Sequence, residues 1–159
     1  MGFTHPAARA FLAAAWLPAT ALADPPLPVL TDVGQLGRWA SVSCELPVSP
    51  QNLHMVFYVA GDGIVRRRLE RGDAPALDGA VDSARLLAPG RIGLTLRNDD
   101  PNWGPSNGMV FETEVEIAGD RARTLRSVAS DGTVFIQDGK LNNGSPVPTM
   151  IRCRERPRS

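Results

Sequence analysis

Cysteine is scarce in this chain of 159 residues, with Cys44 and Cys153 the only two. Lysine is scarcer still, Lys140 standing alone against 16 arginines, and histidine occurs only at His5 and His54. Acidic and basic residues balance at 17 each, so no charge of one sign is in excess. Each shortage removes a class of function. The two cysteines lie far apart and have no close Cys-x-x-Cys or Cys/His spacing that would support a metal pair or a catalytic thiol. A neutral chain lacks the basic surplus that nucleic-acid phosphates demand. No Gly-x-Ser-x-Gly elbow, phosphate loop or His-rich zinc spacing is found. A single histidine without patterned carboxylates is a poor start for acid–base chemistry, so His54 reads as a packed strand residue and the chain as a non-enzyme without a cofactor or metal.

The N-terminal segment gives an address. Arg9 precedes an apolar run at 10–17, Pro18 interrupts that run, and Ala21-Leu22-Ala23 stands before Asp24. Eight apolar residues are too few to cross about 30 Å of hydrocarbon, so residues 1–23 read as a secretory signal peptide cut after Ala23, with no transmembrane segment in the mature chain. No cysteine at the cut offers a lipid anchor. Arginine in place of lysine, with an Ala-rich leader, suggests a GC-rich bacterial coding sequence and hence the periplasm or the exterior. In that oxidising space Cys44 and Cys153 are expected to form a disulfide tying the first strand to the last.

Beyond the cut, Pro25, Pro26 and Pro28 give residues 24–36 the composition of an extended, Pro-rich N-terminal arm. Period-two patterning then begins. Residues 39–46 put Ala40, Val42, Cys44 and Leu46 on one face, and residues 54–60 run into an Asp62-Gly63 turn with a partner strand at 64–70. Residues 72–78 read as a loop, and 81–87 as a strand or a single helical turn. A turn at Ala88-Pro89-Gly90 leads to a strand at 91–97, and the polar stretch 98–108 interrupts the pattern. The clearest strand, 109–118, sets Met109, Phe111, Val115 and Ile117 against Glu112, Glu114 and Glu116. A Gly119-Asp120 turn would place Glu116 opposite Arg123. Strands at 121–130, 133–137 and 149–153 follow, and 155–159 is a polar tail. The expectation is an all-β domain over 37–154, a small antiparallel up-and-down barrel of about eight or nine strands, with a β-sandwich as the alternative.

Leu36-Gly37-Arg38-Trp39 opens the first strand, and this Gly-x-Trp resembles the signature of lipocalin-like (calycin) barrels. The resemblance implies that Trp39 closes one barrel end, that Arg152 or Arg154 packs over its indole, and that the interior holds a small apolar ligand. The chain departs from that family in its short mature length and in lacking a second motif and a late helix, and a narrow barrel is filled by its own side chains.

Two further clusters bear on function. Asn98, Asp99, Asp100 and Asn102 beside Trp103 leave three readings open: a plain long turn, a calcium site, or a binding loop in which Trp103 is an exposed apolar anchor. In Arg66-Arg67-Arg68 successive side chains alternate between faces. Arg66 and Arg68 are expected outside, balanced by the glutamates of 112–116. An inward Arg67 would require an internal carboxylate or an anionic ligand. The functional expectation is a secreted or periplasmic barrel that binds a small apolar or amphipathic ligand or an envelope component. The alternative is a solid-barrel interaction or inhibitor module acting through the N-terminal arm and the 98–108 loop.

Overall fold

Alternation of buried and solvated side chains organises the chain into strands whose inward faces share one core. The computed structural model describes residues 24–154; the leader and the C-terminal tail expected from sequence lie outside the described residues. Ten strands are formed: β1 Gly37–Ala40, β2 His54–Val59, β3 Val65–Arg71, β4 Ala74–Ala88, β5 Arg91–Arg97, β6 Val110–Ala118, β7 Arg121–Ala129, β8 Val134–Gln137, β9 Lys140–Leu141 and β10 Met150–Arg152. Sequential neighbours from β1 to β9 pair antiparallel, and β10 bonds both β1 and β7. Eight strands therefore close into a barrel, and the β8–β9 hairpin hangs from β7 outside the ring.

β5 shows the rule most clearly. Ile92, Leu94 and Leu96 are buried while Gly93, Thr95 and Arg97 are partly exposed on the other face. With Trp39, Phe57, Val65, Val81 and Val115 they fill the barrel, each large side chain contributing about 1.5–3 kcal/mol by leaving water. The β6–β7 hairpin has the expected register, with Glu116 opposite Arg123 and an ion pair of 3.3 Å between them. The disulfide between Cys44 and Cys153 joins Cα atoms 5.4 Å apart, just beyond β1 and β10.

Several local expectations are corrected. Residues 24–36 are not an extended arm: Pro26–Asp32 is an α-helix, α1, packed against β4 with Leu30 wholly buried. Pro26 and Pro28 occupy the first turn, where the N–H that proline lacks has no helical partner in any case. Beyond the helix, the Gln35 carbonyl accepts the Trp39 indole N–H at 2.9 Å, fastening the helical segment to β1. The first strand ends at Ala40 and not at Leu46, because residues 41–47 wrap around the buried side chain of Asn52. Its oxygen accepts the Val42 and Ser43 amides, each at 3.1 Å. Its amide points at the carbonyls of Ser43, Leu46 and Pro47, at 3.0, 3.2 and 3.2 Å. Val42 and Leu46, expected inside, are 54% and 51% exposed.

The loop expected over 72–78 is also absent. β4 starts at Ala74, and an irregularity in the β3–β4 register between Leu69 and Arg71 accommodates Pro75, which cannot donate to a ladder. Residues 81–87 continue the same strand. The 98–108 stretch contains two short 3₁₀ turns over Pro101–Ser106, joined at Gly104, whose φ of 56° favours glycine.

Candidate functional site

A cavity of about 80 Å³ lies inside the barrel. Its wall is mostly apolar, from Trp39, Phe57, Leu94 and Val115, but Arg67, Gln35, Thr113, Arg123 and Thr124 also line it. Arg67 reaches it through simple alternation along β3, which sends Arg66 and Arg68 to the outer surface. Outside, Arg66, Arg68 and Arg97 are paired with carboxylates. Arg66 Nε lies 2.8 Å from Asp78 Oδ1 and its Nη2 lies 2.5 Å from Asp99 Oδ1. Arg68 Nε lies 2.9 Å from Asp78 Oδ2, which also accepts the Tyr58 hydroxyl at 2.8 Å. Arg97 pairs with Asp82 at 2.8 Å. Burial would raise the pKa of Asp78, yet its bonds from Arg66, Tyr58 and Arg68 outweigh this and hold it below the usual carboxylate value.

The balancing partners are thus Asp78 and Asp99, not the expected glutamates of 112–116. Those glutamates serve their own neighbours: Glu114 pairs with Arg91 at 3.1 Å, Glu116 with Arg123, and Glu112 accepts the Thr95 hydroxyl at 3.0 Å.

Inside, Arg67 has a different environment. Its Nη2 donates to Asn98 Oδ1 at 2.9 Å, and its guanidinium carbon stands 5.3 Å from the centre of the Trp103 ring. Its Nε is buried without a hydrogen-bond partner, and among the described residues no carboxylate lies within ion-pair distance. Burial pushes its pKa down to about 10, with Asp78 across the sheet opposing the shift. Opposite Arg67 in the β3–β4 register is Gly79, where a Cβ would lie 2.7 Å from the Arg97 carbonyl and 3.6 Å from Arg67 Nη2. Glycine there lets the strands approach beside the guanidinium. On the same cavity wall Gln35, 3% exposed, has a side-chain oxygen with no partner.

The 98–108 loop is folded down onto β4. Asn98 is fully buried, its amide donating to the Met109 carbonyl at 3.0 Å. Asp100 accepts the Asn102 amide at 2.8 Å and the Asp78 amide at 3.3 Å. The Trp103 indole donates to the Asp78 carbonyl, so Trp103 is half-buried and is not an exposed anchor. With Asp99 on arginines and Asp100 on backbone amides, these oxygens are committed to protein donors, and the calcium reading does not fit them. Among the described residues no cluster of three or more His, Cys, Asp or Glu side chains is placed to hold a metal ion.

The barrel-end residues expected to stack are placed otherwise. Arg152 stands opposite Trp39 in the β1–β10 pairing, with its Nη1 2.7 Å from where a Gly34 Cβ would lie. Among the described residues the guanidinium-over-ring contacts are Arg67 on Trp103 and Arg68 on Tyr58. Arg152 and Arg154 line an outer groove beside the disulfide, shared with Arg38 and Glu45. His54 is buried on the outer side of β2, away from the cavity. Its Nδ1 accepts Arg38 Nη1 at 3.0 Å, and Arg38 also pairs with Glu70 at 2.9 Å. His54 Nε2 lies 3.1 Å from Asn52 Nδ2. Burial first, then the Arg38 charge, lowers the His54 pKa below 6.5.

Sequence reasoning missed Gln35, which lay in the supposed arm, and Asn52, which lay in a turn. Neither carries a motif; each acquires its role through the fold. Fold and cavity together define a closed antiparallel barrel with a partly polar interior and a disulfide just beyond its first and last strands, an arrangement that fits an oxidising compartment. No protein-family model, curated protein or solved structure matches the chain. No helix among the described residues is long and apolar enough to cross a membrane.

Proposed function

We propose that this protein is a non-enzymatic binding barrel, exported by its 1–23 leader to the periplasm or exterior, which holds a small ligand in its interior. The observation that carries the reading is the cavity itself: two buried polar groups, on Arg67 and Gln35, lack partners on the wall of an otherwise apolar core. Buried polar groups in folded proteins are satisfied by protein, water or ligand, and an unmet pair in one cavity marks a place where something else binds. The wall offers no carboxylate, histidine or cysteine to act as acid, base or nucleophile, which supports a binding role. Size narrows the ligand. Pockets for drug-sized molecules run to roughly 300–1,000 Å³, so a cavity of about 80 Å³ favours a compact molecule over a long apolar one. The lipocalin-like resemblance at Gly37 and Trp39 belongs to this same proposal.

The test is native mass spectrometry of the mature, disulfide-bonded protein from its own envelope, together with thermal shift against a panel of compounds of a few heavy atoms. A reproducible added mass or a saturable rise in Tm is expected. A bare protein that responds to none of the panel would overturn the reading.

A second reading is favoured by a separate observation. The 41–47 segment is braced by Cys44 and Asn52 and holds Val42 and Leu46 exposed, so a rigid apolar loop is presented for an envelope protein. It replaces the arm and the 98–108 loop, both of which are folded down, as the contact expected of an interaction module. Co-purification of a partner that Val42→Asp and Leu46→Asp both abolish would support it; retention by both variants would refute it.

A further inference from the structure

We infer that Arg67 makes the barrel interior an anion site, which takes a carboxylate or planar oxyanion of about three or four heavy atoms. This inference rests on the binding reading above and names the chemistry of the ligand. Three successive arginines share one strand and meet different fates. Arg66 and Arg68 on the outer face meet Asp78 and Asp99, whereas Arg67 on the inner face meets one neutral amide oxygen and the face of an indole. Of the three guanidinium nitrogens, Nη2 donates to Asn98 Oδ1 while Nε is buried with no protein acceptor. A cation removed from water calls for an opposite charge and for acceptors on its remaining protons. Asp78, whose charge acts on Arg67, lies on the other side of the sheet and is already held by Arg66 and Arg68. A carboxylate or nitrate-like ion matches the planar guanidinium through parallel N–H···O bonds, which a single water cannot do.

Gln35 supplies a second polar contact on the same wall. The oxygen and nitrogen of an amide exchange by a half-turn, so the group that lacks a donor in one orientation offers its N–H₂ to an anion in the other. Trp39, Phe57, Leu94 and Val115 form an apolar part of the wall that suits a methyl group, and Thr113, Thr124 and Arg123 add polar groups to it. Volume fixes the upper size: a cavity of roughly 150 Å³ accepts benzene, with six heavy atoms, so about 80 Å³ accepts about half as many. Formate, nitrate, bicarbonate and acetate fall in this range; sulfate and longer fatty acids do not.

The experiment is a thermal-shift and calorimetric titration of the mature, disulfide-bonded protein with sodium formate, nitrate and acetate. Ionic strength is held constant with sodium gluconate, whose anion is too large for the cavity. Wild type is expected to gain roughly 8 °C in Tm at a hundredfold excess over Kd, with one anion bound per chain, and Arg67→Gln to lose the response. If Arg67→Gln does not fold, the Nε–Hε resonance of Arg67 in ¹⁵N-labelled wild type gives the same reading, shifting saturably with formate and not with gluconate. Absence of any response in wild type, or an undiminished response in folded Arg67→Gln, overturns the inference; the latter would move the anion to the outer groove of Arg152 and Arg154. Acetamide and ethanol separate the two levels of the argument. Stabilisation by these neutral molecules but not by anions refutes the anion and keeps the cavity as a binding site, whereas response to neither removes both.

Discussion

Asn52→Ala should be among the most damaging single substitutions, although it removes a short polar side chain near the surface. The side chain accepts the Val42 and Ser43 amides and donates its two protons among the carbonyls of Ser43, Leu46 and Pro47. Four hydrogen bonds are lost at once, each worth about 0.5–1.5 kcal/mol net. The exposed part of the loop recovers some of this by rehydration, so a loss of about 2–4 kcal/mol is expected, or roughly 10 °C in Tm. Asn52→Asp should do at least as badly, because it keeps the acceptor but sets a negative charge against three carbonyl oxygens. Urea unfolding of the oxidised protein, followed by tryptophan fluorescence, measures the global loss. Amide exchange at Val42 and Ser43 measures the local one, since Cys44 remains bonded to Cys153 and the loop can open while the barrel stays closed. A change below about 1 kcal/mol with unaltered exchange at both amides would refute the reasoning.

Cys44→Ser with Cys153→Ser opens a link across 109 residues, for which chain entropy gives about 4.7 kcal/mol; 3–5 kcal/mol is expected in denaturant unfolding, and a loss under about 1 would show that the β1–β10 pairing alone holds the ends. Leu30→Ala should cost about 2–5 kcal/mol by emptying a fully buried site, whereas an unchanged Tm would mean that α1 is dispensable to the fold. His54 has a folded pKa below 6.5, so the unfolded chain takes up the proton first. Its contribution is complete above about 6.5 and is lost as pH falls below that value. The urea midpoint should therefore be lower at about pH 5.5 than at about pH 7.5, and His54→Gln should flatten that difference; an identical slope in the variant would refute it.

Where one face of a strand is buried and the other wet, the sequence was readable. The strands at 91–97 and 109–118, the hairpin turns and the opposition of Glu116 and Arg123 were all legible, because alternation and short turns set register locally. The separation of Arg67 from Arg66 and Arg68 on opposite faces was legible too, once residues 66–68 were placed on a strand, but which face turns inward was not. The helix at Pro26–Asp32 was hidden because Pro25, Pro26 and Pro28 resemble an extended arm, and its stability comes from burying Leu30, with Val29 and Val33, against the core. Val42 and Leu46 kept the period of a strand, but Asn52, ten and six residues away, bends that segment out of the sheet. The partners of the arginines were illegible for a related reason. Asp78 and Asp99 reach Arg66 from two other segments, and spacing along the chain does not report such meetings.

The position of the disulfide divides the folded chain into a closed covalent loop and a free lead. Residues 44–153 form a loop through Cys44 and Cys153, so a protease cut at any one turn within it leaves a single molecule with every strand still tethered. α1 and β1 lie before Cys44, outside that loop. A single cut between 41 and 43 would leave them attached by noncovalent contacts alone, and their departure would take Leu30 and Trp39 from the core and leave β2 and β10 as open edges. Residues 41–43 are held by Ser41, whose amide donates to the Leu53 carbonyl, and by Asn52. The short segment that a protease must not reach is therefore the one the molecule clasps to its own side chain.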